Sequence, residues 1–412
     1  MEKLYRRECY LQKMRGFYHD CQMIKVLTGV RRCGKSSLMA LIAAELEENG
    51  VPKSNILFLD LDKRGFRKIK TADQLDELIE FSAKSAVKGI KYLFIDEIQN
   101  VTDFEEVVNS WRGEGDFSIF ITGSNSYLLS GELATKLTGR YLEFEIFPLN
   151  FEEYLAMKRF YHQKIQPNDL EELNQYIFDG GFPGIFQYQN ETDKRIYVAG
   201  IIEEIFKKDI RRRVQIRNRS NFDRVTGYII NNFGAMTSLS SIQKALADDG
   251  IRITRETLNT YIRVLTDAKI LYECTRFDLK SKKSLLGERK YYLADTSFYF
   301  ASNTDNRIHY GPVLENMAFI YAKSQGYQIS VGRIGKLECD FILRGQGQNY
   351  AYLQVAYTIL ESKKTEDREY RSLESIRDNY PKYVLTTDYI FQNRNGISHQ
   401  NLLDFIKAGK KF

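Results

Sequence analysis

The sequence predicts an α/β protein that opens with a parallel sheet covered by helices on both faces. Two observations predict it: strand-patterned and helix-patterned segments alternate throughout residues 23 to 147, and a glycine-rich loop joins the first strand to the first helix. The third observation is length: 412 residues exceed what one hydrophobic core usually serves, so further domains are expected downstream. With 43% hydrophobic residues, 27 Tyr and 26 Phe, the chain has bulky material for several cores, which excludes a disordered protein.

Ile24 to Leu27, the first element, reads as a buried strand, and the helix pattern resumes after Lys35. Between them Gly29, Val30, Arg31, Arg32, Cys33, Gly34, Lys35 and Ser36 complete G-x-x-x-x-G-K-S, the Walker A loop, with Ser37 next to it. Glycine permits positive φ and close backbone approach. Loop N–H groups and the helix N-terminus face phosphate, Lys35 reaches the β- and γ-phosphates, and the Ser36 hydroxyl holds Mg²⁺. Asn55 to Asp62 is another strand, and Thr71 with Gln74 has capping-box spacing for the next helix. Tyr92 to Gln99 is a hydrophobic strand delivering Asp96 and Glu97 at its carboxyl end, where such sheets place ligands. Asp96 is expected to hold Mg²⁺ and Glu97 to polarise the attacking water. The strand Ser118 to Gly123 leads into Ser124 and Asn125, read as a sensor of the γ-phosphate. ATP and Mg²⁺ are the expected cofactors, and the extra strand with its adjacent glutamate points to the AAA-like branch of these ATPases.

Composition narrows the partners. The 60 basic residues exceed the 54 acidic ones by 6, which permits nucleic acid contact without requiring it. Cysteines 9, 21, 33, 274 and 339 have no metal or disulfide spacing, and no stretch approaches the apolar length of a membrane span. A cytoplasmic protein that meets no membrane is expected.

The chain resembles the prokaryotic AAA-type ATPases that carry a C-terminal domain related to PD-(D/E)XK nucleases. The resemblance spans nearly the whole chain and rests on LTGVRRCGKS, FIDEIQ, ITGSNSYLLS, LTGRYLEFEIFPLNFEEYL, GGFP at 180 to 183, KKDI at 207 to 210, ECDF, LQVAY and DNYPKYVLTTD. It implies an ATPase domain over residues 1–150, a helical lid over 151–225, a winged helix over 226–300 and a nuclease-like domain over 301–412. Arg140 matches an arginine of that family and is expected either as a sensor or finger, within its own chain or across to another protein subunit, or as a strand-edge residue.

The later segments carry their own signals. Phe182 in the glycine-rich turn either packs or contacts adenine. The basic run from Lys207 to Arg224 suits phosphate, a solvated helix face or an interdomain contact. Two short amphipathic helices, Ser238 to Gly250 and Thr254 to Ala268, read as a winged helix with Leu258, Tyr261, Ile262 and Leu265 inward. Arg255, Asn259 and Arg263 lie four apart on another face, and a wing loop carries Lys280, Lys282, Lys283 and Arg289, a set suited either to DNA or to internal contacts. In the nuclease-like domain Glu315 and Asp340 match acid positions, but the second strand acid falls at Gln354 and the lysine at Ala356. A neutral amide binds Mg²⁺ more weakly than a carboxylate, so a degenerate nuclease fold is expected, with Lys363, Lys364 and Glu361 as the substitutes within reach in sequence. Three functions are compatible with these signals: an ATP-driven switch or motor on DNA, a nucleotide-gated protein-interaction module, and an ATP-gated nuclease.

Overall fold

The structure is a computed structural model that describes residues 4–123, 136–137, 139–210, 216, 218–303, 307–345, 347 and 349–412. It divides into two compact units, Met1–Ile146 and Phe147–Phe412.

In the first unit, α1 (Glu8–Arg15) precedes β1 (Ile24–Thr28), α2 (Lys35–Glu48), β2 (Ile56–Asp60), α3 (Ala72–Ala83), β3 (Lys91–Asp96), α4 (Phe104–Gly113), β4 (Phe117–Thr122) and β5 (Tyr141–Glu145). The strands form one parallel sheet in the order β2-β3-β4-β1-β5. β4 therefore lies between the strand that feeds the glycine loop and the strand that carries the paired carboxylates. Central strands β1 and β4 are buried along their whole length, as continuous apolar runs require when helices cover both faces. Lys25 is tolerated in β1 because its ammonium donates to the carbonyls of Asp20 and Met23 and to Ser118 Oγ at 2.8 Å. The capping box of α3 forms as its spacing predicts, with Gln74 N–H donating to Thr71 Oγ1 and Gln74 Oε1 accepting from Thr71 N–H.

The second unit starts with helices α5 (Phe151–Phe160), α6 (Asp169–Asp179) and α7 (Glu191–Glu204), the last running into a π-helical turn at Ile205–Ile210. Then come α8 (Arg219–Asn231), α9 (Leu239–Asp248), α10 (Arg255–Asp267), β6 (Leu271–Asp278) and β7 (Lys283–Leu293). The chain ends with α11 (Ser297–Ser302), α12 (Tyr310–Ser324), β8 (Gln328–Ile334), β9 (Leu337–Arg344), β10 (Tyr350–Val355), α13 (Lys363–Glu374), β11 (Lys382–Thr386), β12 (Ser398–Asn401) and α14 (Leu402–Lys407). Its strands form a mixed seven-stranded sheet, β12-β11-β10-β9-β8-β6-β7. The hairpin expected as a wing is thus hydrogen-bonded into the C-terminal sheet through β6 and β8, which run parallel with Arg276 opposite Val331.

Phe182 is fully buried and packs on Phe298 with ring centroids 5.4 Å apart, so of the two expectations for this aromatic the structure takes packing. Gly180 has φ +75°, and a Cβ there would come within 2.3 Å of Asp295 Oδ1, so the turn needs glycine.

Candidate functional site

The glycine loop leaves the carboxyl end of β1 and enters α2 with Gly29, Arg32 and Gly34 all at positive φ. A Cβ on Gly29 would stand 2.0 Å from the Ile146 carbonyl oxygen, so no other residue fits there. Val30, Cys33 and Lys35 are buried, Arg31 and Gly34 are half-buried, and Arg32, Ser36 and Ser37 are exposed. Lys35 Nζ donates to the carbonyls of Gly29 and Val30 at 2.9 and 3.2 Å, which draws the ammonium inside the curve of the loop. Burial pushes the Cys33 thiol up, so it is a packing residue rather than a nucleophile. Its carbonyl accepts from Arg7 Nη1 at 3.1 Å, a brace from just ahead of α1.

Parallel pairing carries the carboxylates to the same sheet edge. Asp96 ends β3 and is buried, and Glu97 comes next in the left-handed region at φ +57°, a conformation costly for a residue with a Cβ. Thr122, the last residue of β4, joins the two: its Oγ1 donates to Asp96 Oδ1 and accepts from the Glu97 N–H at 3.2 Å. Arg31 Nη2 lies 3.7 Å from Glu97 Oε2, and Gln99 Nε2 donates to the same oxygen. Thr122 and the Arg31–Glu97 pair were missed in the sequence. The signal for Thr122 was its place as the last polar residue of a strand that must neighbour both others.

Ser124 and Asn125 lie outside the described residues. Arg140 is exposed immediately before β5, and because Tyr141 sits opposite Ile24 at the start of β1, the sheet carries Arg140 to the edge opposite the glycine loop. A five-residue strand separates the two edges by about 16 Å, so Arg140 is not brought to Lys35, Asp96 and Glu97.

The donor chemistry fits nucleotide with Mg²⁺: a hydroxyl at Ser36, the Asp96 carboxylate and a loop of backbone N–H groups ahead of a helix N-terminus. Among the described residues no group of three or more His, Cys, Asp or Glu is placed to hold a metal. Mg²⁺ in such sites needs only one or two protein carboxylates, the rest coming from phosphate and water.

In the second unit α10 buries Leu258, Tyr261, Ile262 and Leu265 and exposes Arg255, Asn259 and Arg263. Lys280, Lys282 and Lys283 are exposed at the β6–β7 turn, Lys283 opening β7. Arg289, expected in that loop, instead lies inside β7, paired with Glu273 at 2.8 Å. Of the basic run, Arg211, Arg212, Arg213 and Arg217 lie outside the described residues. Arg219 is held by Asp223 and Glu203 and covers the Phe206 ring.

Glu315 on α12 and Asp340 and Gln354 on neighbouring strands do meet. Asp340 Oδ2 accepts from Val355 N–H at 2.8 Å, while Gln354 Oε1 accepts from Asp340 N–H and Ser372 Oγ. Asp340 lies within β9, which runs from Leu337 to Arg344. Lys363, a substitute lysine by sequence, is exposed on α13 and paired with Glu366. The cation that arrives is one the sequence did not suggest: Lys290 of β7 contacts Glu315 at 2.8 Å and Glu338 at 3.0 Å. Burial disfavours its ammonium, but Glu315, Asp340 and Glu338 outweigh burial and hold its pKa above the ordinary lysine value. Burial, then Glu315, pushes Asp340 well above the carboxylate range, against the pull of Lys290.

A family profile described as an AAA domain matches residues 22–155, and one described as a domain of unknown function matches residues 170–306. An uncharacterised protein of Haemophilus influenzae is 33% identical over 401 residues, covering 97% of this chain and 98% of its own. One from Methanocaldococcus jannaschii is 32% identical over 366 residues, 86% of this chain and 79% of its own. Among solved structures, a Walker-type ATPase of Pyrococcus abyssi aligns with a TM-score of 0.52 at 18% identity, over 73% of this chain and 96% of that one, a likeness of fold.

Proposed function

This chain belongs to one family with the uncharacterised Haemophilus influenzae relative and matches the AAA-domain profile over residues 22–155, and we propose that it hydrolyses ATP and uses the cycle as a switch on DNA. The observation that carries the hydrolytic half is the convergence at one sheet edge of a glycine loop at positive φ, Lys35, and Asp96 with Glu97 joined through Thr122. Bound Mg²⁺ would be held by Ser36 and Asp96 and would neutralise charge on the transferred phosphate. The loop N–H groups and Lys35 bind and orient the phosphates, and Glu97 takes the proton of the attacking water.

The DNA half is supported by the exposed face of Arg255, Asn259 and Arg263 and by the exposed turn at Lys280, Lys282 and Lys283. We read α9 and α10 with the β6–β7 hairpin, which also extends the C-terminal sheet, as a winged helix over residues 226–300, residues 1–150 as the ATPase domain, 151–225 as a lid, and residues 301–412 as a nuclease-like fold without cleavage chemistry. Gln354 in place of an acid and the internally paired Lys290 support that last point.

The test is phosphate release by the purified chain with Mg²⁺, alone and with Glu97→Gln. Hydrolysis that falls about 100-fold in the variant while nucleotide still binds is the expected result. No nucleotide-dependent release in either protein rejects it. Duplex binding that weakens with salt and with neutralisation of Arg255, Arg263 and Lys282 supports the DNA half, whereas no binding at low salt favours a nucleotide-gated protein-interaction module. Plasmid cleavage abolished by Asp340→Ala would instead favour the nuclease.

A further inference from the structure

The connection from β2 to α3 reads Asp60-Leu-Asp-Lys-Arg-Gly-Phe-Arg-Lys-Ile-Lys70, and its cations Lys63, Arg64, Arg67, Lys68 and Lys70 are all exposed. Its apolar residues point the other way, since Phe66 and Ile69 pack on the core of the first unit. Successive turn bonds fix this sorting: Lys63 N–H to Asp60 O, Phe66 N–H to Lys63 O, and Ile69 N–H to Phe66 O, all between 2.9 and 3.0 Å. The loop is also tied along its length to the segment that carries Glu97. Leu61 N–H donates to the Asp96 carbonyl at 3.2 Å, Asn100 Nδ2 to Asp62 Oδ1 at 3.0 Å, and Thr102 N–H to the Lys70 carbonyl at 2.9 Å.

We propose that this loop is a second nucleic-acid surface, on the ATPase unit itself, which grips the phosphodiester backbone without reading bases and passes occupancy to Glu97 through those three bonds. Density of charge is the argument for phosphate: five cations in eight residues, of which Lys63 is partly spent on Asp60 at 3.2 Å. An anionic membrane is the less suited polyanion, because the loop's three apolar side chains, Leu61, Phe66 and Ile69, face the core and leave nothing to insert beneath headgroups. The coupling to hydrolysis rests on the function proposed above; the grip on phosphate does not.

The experiment compares the full chain with Arg64→Gln/Arg67→Gln/Lys68→Gln, using fluorescence anisotropy of a labelled duplex of mixed sequence, about 20 base pairs long, across a salt series. Three lost phosphate contacts should reduce the slope of log affinity against log salt by about 2.7 and weaken low-salt binding about tenfold. Arg64→Lys/Arg67→Lys, which keeps the charge, should keep the slope. In the same proteins, duplex should stimulate phosphate release by wild type and not by the triple variant, with basal release unchanged. An unchanged slope and affinity in the triple variant overturn the inference, as does binding to phosphatidylserine vesicles in place of duplex. Basal release falling together with stimulated release overturns the coupling and makes the loop a structural brace. Loss of binding on neutralising Arg255, Arg263 and Lys282, with no effect of the triple variant, sinks this surface and leaves α10 and the β6–β7 turn as the DNA contact. A wild type without hydrolysis sinks the coupling and the ATPase reading together, while anisotropy still decides the grip.

Discussion

Each unit holds a buried lysine beside carboxylates, and the two are built in opposite ways. In the first, Lys35 rests on two backbone carbonyls while the carboxylates of Asp96 and Glu97 stand together at the end of β3, and Gly29, Arg32, Gly34 and Glu97 all carry positive φ. In the second, Lys290 closes directly on Glu315 and Glu338 along ordinary strand and helix backbone. A cation resting on carbonyls amid strained backbone is arranged for an anion from outside, whereas one saturated by its own acids is arranged to complete a core.

The comparison breaks if Lys290 proves dispensable for folding. Lys290→Met leaves Asp340, Glu315 and Glu338 without their buried counter-charge and should cost about 3–5 kcal/mol of stability, measured by urea unfolding at pH 7. The sign with pH comes from Asp340. Its folded pKa lies above the unfolded value, so it costs stability at pH above the unfolded pKa, and the cost disappears as pH falls below it. Removing Lys290 removes the group that pulls Asp340 down, so the variant's deficit should be largest near pH 7 and shrink toward pH 4. Nucleotide affinity should not change.

Lys35→Ala should do the reverse. Two charge-assisted hydrogen bonds to phosphate are lost, so affinity for a fluorescent ATP analogue should fall about 100-fold, or about 2.8 kcal/mol, with little change in the urea midpoint. A large loss of stability with intact binding would reverse the assignment of the two lysines.

The same contrast explains how much of each cluster was legible in the sequence. The first was readable because its chemistry is local: a loop motif fixes Gly29 to Ser36, and one strand end delivers both Asp96 and Glu97. Thr122 and the Arg31 contact were hidden because they arise from strand neighbours and from a side chain reaching across the site, which spacing does not encode. In the second cluster the acids at 315 and 340 were readable from order along the chain. Lys290 was not, because its hairpin has the sequence pattern of a wing, and only its bonding to β8 brings the lysine to Glu315. Arg140 shows the converse limit: a motif position says nothing of which end of a strand it occupies, and of the alternatives the sequence leaves open, the register of β5 on β1 speaks against the one within its own chain.

The smallest expected effect concerns Arg31, and it sharpens the contrast most, because this arginine faces a carboxylate inside the open cluster. Arg31 and Gln99 both engage Oε2 of Glu97, at the start of a turn already strained at φ +57°. At 3.7 Å and with both side chains partly accessible, the pair is worth on the order of 1 kcal/mol, enough to bias the orientation of Glu97 without defining the site. Arg31→Met should therefore lower kcat about fivefold and leave nucleotide affinity within about twofold, and Arg31→Lys should recover part of the loss. In a Glu97→Gln background the same substitution should change residual hydrolysis little, since the group it orients has lost its basicity. If affinity falls equally in both backgrounds, Arg31 acts on phosphate, and its contact with Glu97 belongs with the rest of the ligand-facing cluster.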